Sequence, residues 1–292
     1  MRQQAPLRDL PRRVAPSLDA LIPAEIARRA EEVGERKGRM PWLDTFLLAV
    51  LAGAFIALGA LFSTTTLTGA AELPYGVARL LAGLTFSLGL ILVVLAGAEL
   101  FTGNNLIVMA FLAGRLPLTG LLRNWAVVYA GNFVGALATA MLVFLSGQHT
   151  LAGGAVGLVA LGIGASKAGL GFGHAFFLGV LCNALVCLAV WLTMGARTST
   201  DKILAIVFPI SAFVAVGFEH CIANMYFVPL ALLIETDAGY LAQVGKTTAD
   251  FGALGWTNFL LNNLLPVTLG NTVGGAGLVG AVYGFIYLRK KL

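Results

Sequence analysis

"AVGFEHCIANM", residues 215–225, sets an ionisable pair, Glu219 and His220, inside a run of more than thirty otherwise mostly apolar residues. The surroundings of the pair decide what kind of chain carries it. With 58% hydrophobic residues, 11% charged residues and a mean hydropathy of +0.87, the composition is that of an integral membrane protein. A hydrocarbon core about 30 Å thick needs roughly 20 apolar residues per helical crossing. Segments of that kind lie near 42–66, 75–112, 121–146, 172–194, 203–235 and 257–288, which predicts an all-α protein with six crossings. The second and fifth are much longer than one crossing needs, and polar residues with glycine nearby interrupt both, as in broken helices.

Charge gives the orientation, because short cytoplasmic loops carry an excess of Lys and Arg. With the N-terminus inside, sixteen of nineteen basic residues fall on the inner side: nine before residue 42, then Arg115, Arg123, Arg197, Lys202, Arg289, Lys290 and Lys291. Arg79, Lys167 and Lys246 fall outside, with Glu235, Asp237 and Asp250. Both termini are therefore expected in the cytoplasm, and the net charge of +5 is a topology signal, with no nucleic-acid partner implied. No cleavable signal peptide is expected in residues 1–41, which lack an uninterrupted apolar core. Two domains are expected: a cytoplasmic segment 1–41 and a channel domain 42–292. Within the first, "PAEIARRAEEVGERKG" has Pro23 at a first helical position and mixed charges after it, which predicts an amphipathic helix, either at the membrane surface or over a pore mouth. Cys182, Cys187 and Cys221 lie within predicted spans as small packing residues, and no metal-ligand spacing involves them.

The two halves resemble each other. "GAELFTGNN" (97–105) lies over "GFEHCIANM" (217–225) at a constant offset of 120, matching Gly97 with Gly217, Glu99 with Glu219 and Asn104 with Asn224. "TFLLAVLAGAF" (45–55) matches "AFFLGVLCNAL" (175–185), and "NWAVVYAGNFVG" (124–135) matches "NLLPVTLGNTVG" (263–274), in the same order. Three spans per copy is an odd number, so the copies, about 42–146 and 172–288, enter the membrane from opposite sides. Such inverted repeats place a permeation path where the broken helices meet. The GxxxG spacings Gly131/Gly135 and Gly270/Gly274 allow close helix packing, within the chain or between subunits.

Together, "GAELFTGNNLIVMAFLAGR", "NWAVVYAGNFVGAL", "GFEHCIANM" and "LPVTLGNTVGG" resemble the formate/nitrite transporter family over about residues 20–290. The resemblance implies an aquaporin-like fold with a pore in each protomer of a homopentamer, in the cell's inner membrane. It makes His220 the pore histidine, with Leu100, Phe101 and Thr102 on the loop of the second span and Thr102 facing the histidine. It maps hydrophobic constrictions onto Phe86, Leu90, Leu100, Val186 and Phe213, a vestibule lysine onto Lys167 and a polar pore-side position onto Asn183. Cys221 stands where many members have serine, and the linker after the third span is Gly-rich with few landmarks.

The chemistry follows from what a small monovalent anion needs. Leaving water for an apolar constriction is costly for a charge. Lys167 can attract it, and Thr102 with His220 can replace lost hydrogen bonds. A histidine with an ordinary pKa of about 6.5 can also lend a proton, which makes transport pH-sensitive. Glu219, like Glu99, is expected either to accept hydrogen bonds from amides freed at the break or to exchange protons with His220. His149 and His174 are expected to be bland. Formate is the leading substrate, with nitrite or hydrosulfide of the same family as the alternative and other small monocarboxylates near it. A neutral-solute channel lacks the paired Asn-Pro-Ala motifs it would need. An intramembrane enzyme lacks HExxH, GxSxG or a paired base and nucleophile. No cofactor is implied.

Overall fold

The computed structural model describes residues 19–289, so Arg2, Arg8, Arg12, Arg13, Lys290 and Lys291 of the charge pattern lie outside the described residues. Every regular element among those residues is helical. In chain order they are α1 (Pro23–Arg39), α2 (Trp42–Leu67), α3 (Tyr75–Ala96), α4 (Phe101–Leu112) and α5 (Leu118–Leu145). Then come α6 (Ala155–Ala168), α7 (Phe172–Gly195), α8 (Ser199–Ala215), α9 (Cys221–Glu235), α10 (Ala238–Gln243) and α11 (Asn258–Tyr287). The last carries two π-type stretches, Asn258–Leu264 and Val273–Ala281.

Five helices among the described residues, α2, α3, α5, α7 and α11, have the length and apolarity to cross a membrane. The long fifth segment is divided into α8 and α9, of 17 and 15 residues. The long second segment is likewise divided into α3 and α4. Both breaks turn on a glycine with positive φ, Gly97 at +81° and Gly217 at +80°, a conformation in which a Cβ would be strained. Prolines at Pro41, Pro74 and Pro117 stand just before α2, α3 and α5, where fixed φ and a missing N–H cost nothing.

Close helix contact through glycine builds the core. A methyl group on Gly135 would collide with the Val50 carbonyl of α2, and one on Gly274 with the Val180 carbonyl of α7. Gly131 and Gly270 meet Phe46 and Phe176 in the same way. Both GxxxG pairs are thus spent inside the chain, so neither is free for the subunit contact weighed above. The short helices after the breaks are buried almost all round: Cys221 through Ala231 of α9, and Phe101, Thr102, Asn104 to Ile107, Met109 and Ala110 of α4. An all-round apolar helix belongs in the interior.

One element departs from the sequence reading, and the amphipathic helix expected from Pro23 onward is present. The Gly-rich linker after α5 contains a helix, α6, which packs on α9 with Gly164 against Ala231. Helix α1 buries Ile26, Ala27, Ala30, Gly34 and Gly38, at spacings of one, three and four residues, and seats that stripe on α4, the helix after the first break, with Gly34 against Ala110. A charged outer face and an apolar, small-residue inner face explain why α1 docks there.

Candidate functional site

Each break leaves backbone groups without helical partners. In the first, Glu99 N donates to Leu48 O at 3.2 Å and Phe101 N to Asn132 Oδ1 at 2.9 Å. Asn132 Nδ2 then donates to the carbonyls of Ala49 and Glu99, at 2.8 and 2.9 Å. In the second, Glu219 N donates to Leu178 O at 3.3 Å and Cys221 N to Asn271 Oδ1 at 2.9 Å. Asn271 Nδ2 donates to Gly179 O and Glu219 O, at 2.7 and 2.9 Å. The freed amides expected to bind Glu99 and Glu219 are therefore served by Asn132, Asn271 and main-chain carbonyls.

The two carboxylates point elsewhere. Glu219 pairs with Lys167 at 2.7 Å and accepts from Asn224 at 2.7 Å and Asn263 at 3.2 Å. Asn263 also accepts from Asn224, at 2.7 Å, and donates to the Lys167 carbonyl at 3.0 Å. Glu99 pairs with Lys37 at 3.0 Å and accepts from Asn104 at 2.7 Å. Asn104 donates to Asn124 at 3.0 Å, and Asn124 donates to the Lys37 carbonyl at 3.2 Å. Two buried carboxylates are thus neutralised by one lysine each, the condition under which burying charge is tolerable. Lys37, Asn124, Asn132, Asn263 and Asn271 were not singled out as site residues. A signal existed: Lys37 precedes Lys167 by 130 residues, the offset that matches Phe46 to Phe176.

His220 begins α9. Its Nδ1 accepts from Ala223 N at 3.1 Å, capping the helix, and its Nε2 lies 3.0 Å from Thr102 Oγ1. A neutral ring that accepts at Nδ1 keeps its proton on Nε2, so the N–H points at Thr102. The ring stacks on Phe213 at 5.9 Å, and Phe213 meets Phe86 edge-on at 5.6 Å. Asn183 holds the other side of the contact: its Nδ2 donates to Asn105 Oδ1 at 2.8 Å, Asn271 O at 2.7 Å and Thr102 O at 3.3 Å.

Two cavities approach this contact. One, about 360 Å³, is lined by Lys37, Leu90, Glu99, Leu100 and Asn104. The second, about 410 Å³, is lined by Phe86, Lys167, Phe213, Glu219 and His220. The hydrophobic residues Leu90 and Leu100 face the first; Phe86 and Phe213 face the second. Phe101 and Val186 line neither: Phe101 packs on Tyr129 and Trp125, with ring centres 5.0 and 6.2 Å away, and Val186 sits in the core. Thr102, Asn183 and Asn224 are also buried outside both cavity walls. His149 lies apart, between Phe144 and Tyr240 and 3.5 Å from Asp237; His174 is exposed. No group of three metal-ligating side chains occurs among the described residues.

The sequence model of the formate/nitrite transporters matches residues 24–285. The chain belongs to that family. Among individual members of the formate/nitrite transporter family, it is 44% identical over 275 residues to the formate channel FocA of Escherichia coli strain K12, covering 94% of this chain and 96% of that one. It is 38% identical over 287 residues to a probable formate transporter of Methanothermobacter thermautotrophicus, covering 92% of this chain and 97% of the other. Its fold matches a solved pentameric formate channel with formate bound at a TM-score of 0.81 and 47% identity, over 85% of this chain and 98% of that one. A solved FNT family ion channel matches at 0.74 and 29%, over 90% and 98%. As a formate/nitrite transporter, the chain is an integral membrane transport protein and not an enzyme.

Proposed function

We propose that the protein conducts formate, and small monovalent anions like it, through a pore in each protomer of a homopentamer. The observation that carries this reading is the contact between Thr102 Oγ1 and His220 Nε2, 3.0 Å apart at the septum between the two cavities. An anion at that septum has left water. The Nε2–H of His220 and the hydroxyl of Thr102 are the two donors able to replace its lost hydrogen bonds, and Leu90, Leu100, Phe86 and Phe213 exclude hydrated cations on either side. The pentamer and the substrate are carried over from the 47% identical channel solved with formate bound.

In this reading the chain crosses the inner membrane six times with both termini in the cytoplasm, as two inverted three-helix copies around an aquaporin-like pore. The matched hydrogen bonds at Glu99 and Glu219 support the duplication, and the basic residues Arg29, Arg36, Lys37 and Lys202 around the first cavity support its cytoplasmic placement. The second cavity is then the outer vestibule, with Lys167 and Glu219 in it. Residues 1–41 form the cytoplasmic segment and 42–292 the channel domain. Phe101, Val186, Asn183 and Asn224 act from behind the pore wall by holding Thr102, Glu219 and the breaks in place.

Hydrogen-bond donation comes first in the mechanism. A second proton on Nδ1 would take the acceptor away from Ala223 N, so a proton relay at His220 is coupled to loosening the start of α9. The test is uptake of radiolabelled formate into proteoliposomes across a pH series, for the parent and His220→Asn, with nitrite and hydrosulfide as competitors. Uptake by the parent that is lost, or loses its pH response, in the variant supports the reading. Equal uptake by both makes His220 a purely structural cap, and uptake of nitrite or hydrosulfide in preference to formate moves the substrate within the family.

A further inference from the structure

The charges of the second cavity do not balance. Its wall carries Arg79, Lys167 and Glu219. Lys167 is neutralised by Glu219 at 2.7 Å, so from the cavity mouth the pair is a dipole whose field falls off quickly. Arg79 has no carboxylate partner: the ion pairs among the described residues engage Lys37, Arg39, Arg115, His149, Lys167 and Lys246. Its guanidinium donates instead to main-chain oxygens at the last turn of α8, to Ala215 O at 3.2 Å through Nε and to Val214 O through Nη2. That carbonyl end carries about half an elementary negative charge. About half a unit of positive charge is left uncompensated, half-buried at the wall of a cavity that ends on His220.

We infer that Arg79 is the anion-capturing charge of the outer vestibule, drawing small monovalent anions toward the Lys167–Glu219 pair and His220. It also clamps the end of α8 two residues before Gly217, where the chain turns with φ +80° toward Glu219. Charge supplies the capture rate, as a field in a low-dielectric cleft does. The clamp supplies the geometry, and the two roles separate by salt, because only the first is screened. The inference rests on the proposed anion pathway for its purpose, while the potential at the cavity wall is measurable whatever permeates.

Ser166, exposed on the same wall, provides the reporter. All three native thiols, Cys182, Cys187 and Cys221, are buried, so Ser166→Cys creates the one accessible thiol among the cysteines of the chain. The quantity read is the ratio of its reaction rates with an anionic and a cationic methanethiosulfonate of equal size, in protein with and without Arg79→Gln. A unit charge on the order of 10 Å away in water-like surroundings changes each reagent's local concentration about twofold in opposite senses, so the ratio falls about fourfold at low salt. Arg79→Lys keeps the parent ratio, and high salt abolishes the difference. Arg79→His repeats the test within one folded protein, its ratio rising as pH falls through the usual histidine range near 6.5. A ratio that neither Arg79→Gln nor the titrating histidine moves overturns the inference. Formate influx at low substrate, measured alongside, is expected to fall several-fold in Arg79→Gln and to lose its salt dependence. A parent that carries no formate defeats the proposed function, and the thiol ratio still decides the role of Arg79.

Discussion

The breaks at Glu99 and at Glu219 share most of what holds them and differ in what they present. Each has a positive-φ glycine two residues before the glutamate, a lysine on the carboxylate, an asparagine five residues on, and a second asparagine, 132 or 271, that accepts one freed amide and donates to two carbonyls. After the glutamate they part: Leu100 in the first, His220 in the second, and Thr102 where the second has Ile222. Behind them Gly53 of α2 corresponds to Asn183 of α7, and only Asn183 reaches across to the Thr102 carbonyl. Duplicated scaffolding with unduplicated side chains builds one site from two supports. The proton-bearing partner comes from one break and its hydroxyl partner from the other.

The largest expected effect attacks that asymmetry. His220→Leu gives the second break the residue of the first and is expected to cut formate flux in proteoliposomes at least about tenfold, with a stability cost of about 1 kcal/mol from the lost cap. Flux near the parent level would mean that the asymmetry is incidental. Next come the supports. Asn132→Ala and Asn271→Ala each orphan one buried amide and the carbonyl of Glu99 or Glu219, while the Ala49 and Gly179 carbonyls keep their places in α2 and α7, for a loss on the order of 3 kcal/mol, seen as lower melting temperatures in detergent. The two losses should agree; one silent and one severe would show that the breaks are held differently.

Lys37→Met and Lys167→Met each leave a buried carboxylate without its cation. With the lysines partly exposed, at 25% and 16%, about 3 kcal/mol is expected from each. Adding Glu99→Gln or Glu219→Gln to the matching lysine variant should restore much of it, and failure to do so would assign the loss to packing. The smallest effects test the helix contacts. Gly135→Ala and Gly274→Ala push a methyl into the Val50 and Val180 carbonyls and should cost about 2 kcal/mol each, with the fold retained and, in a pentamer, no change of subunit count.

Much of this was legible in the chain. Glu219 and His220 within an apolar run, the glycines beside them and the constant offset to Glu99 locate the breaks, because a helix cannot cross hydrocarbon with polar backbone exposed and the chain marks each interruption locally. Asn124, Asn132, Asn263 and Asn271 were visible as matched positions, yet their tasks were not, since an asparagine's partners lie on other helices. Lys37 was harder still: in a basic amphipathic segment it looks like any surface lysine until α1 is docked on α4. The helix α6 was obscured by glycine, whose low helix propensity hides the close approach to Ala231 that justifies it.

The sequence by itself determined the membrane class, the helix breaks, the paired glutamates and the family, because apolar run length, glycine at a turn and residue matches are local or periodic properties. Tertiary structure decided which oxygen meets which nitrogen. It gave the breaks to Asn132 and Asn271, neutralised Glu99 with Lys37, turned the Nε2–H of His220 toward Thr102, and left Arg79 facing a cavity without a carboxylate. Those contacts join residues 31 to 136 positions apart, and a partner at that separation is selected by packing and burial, which no local pattern encodes.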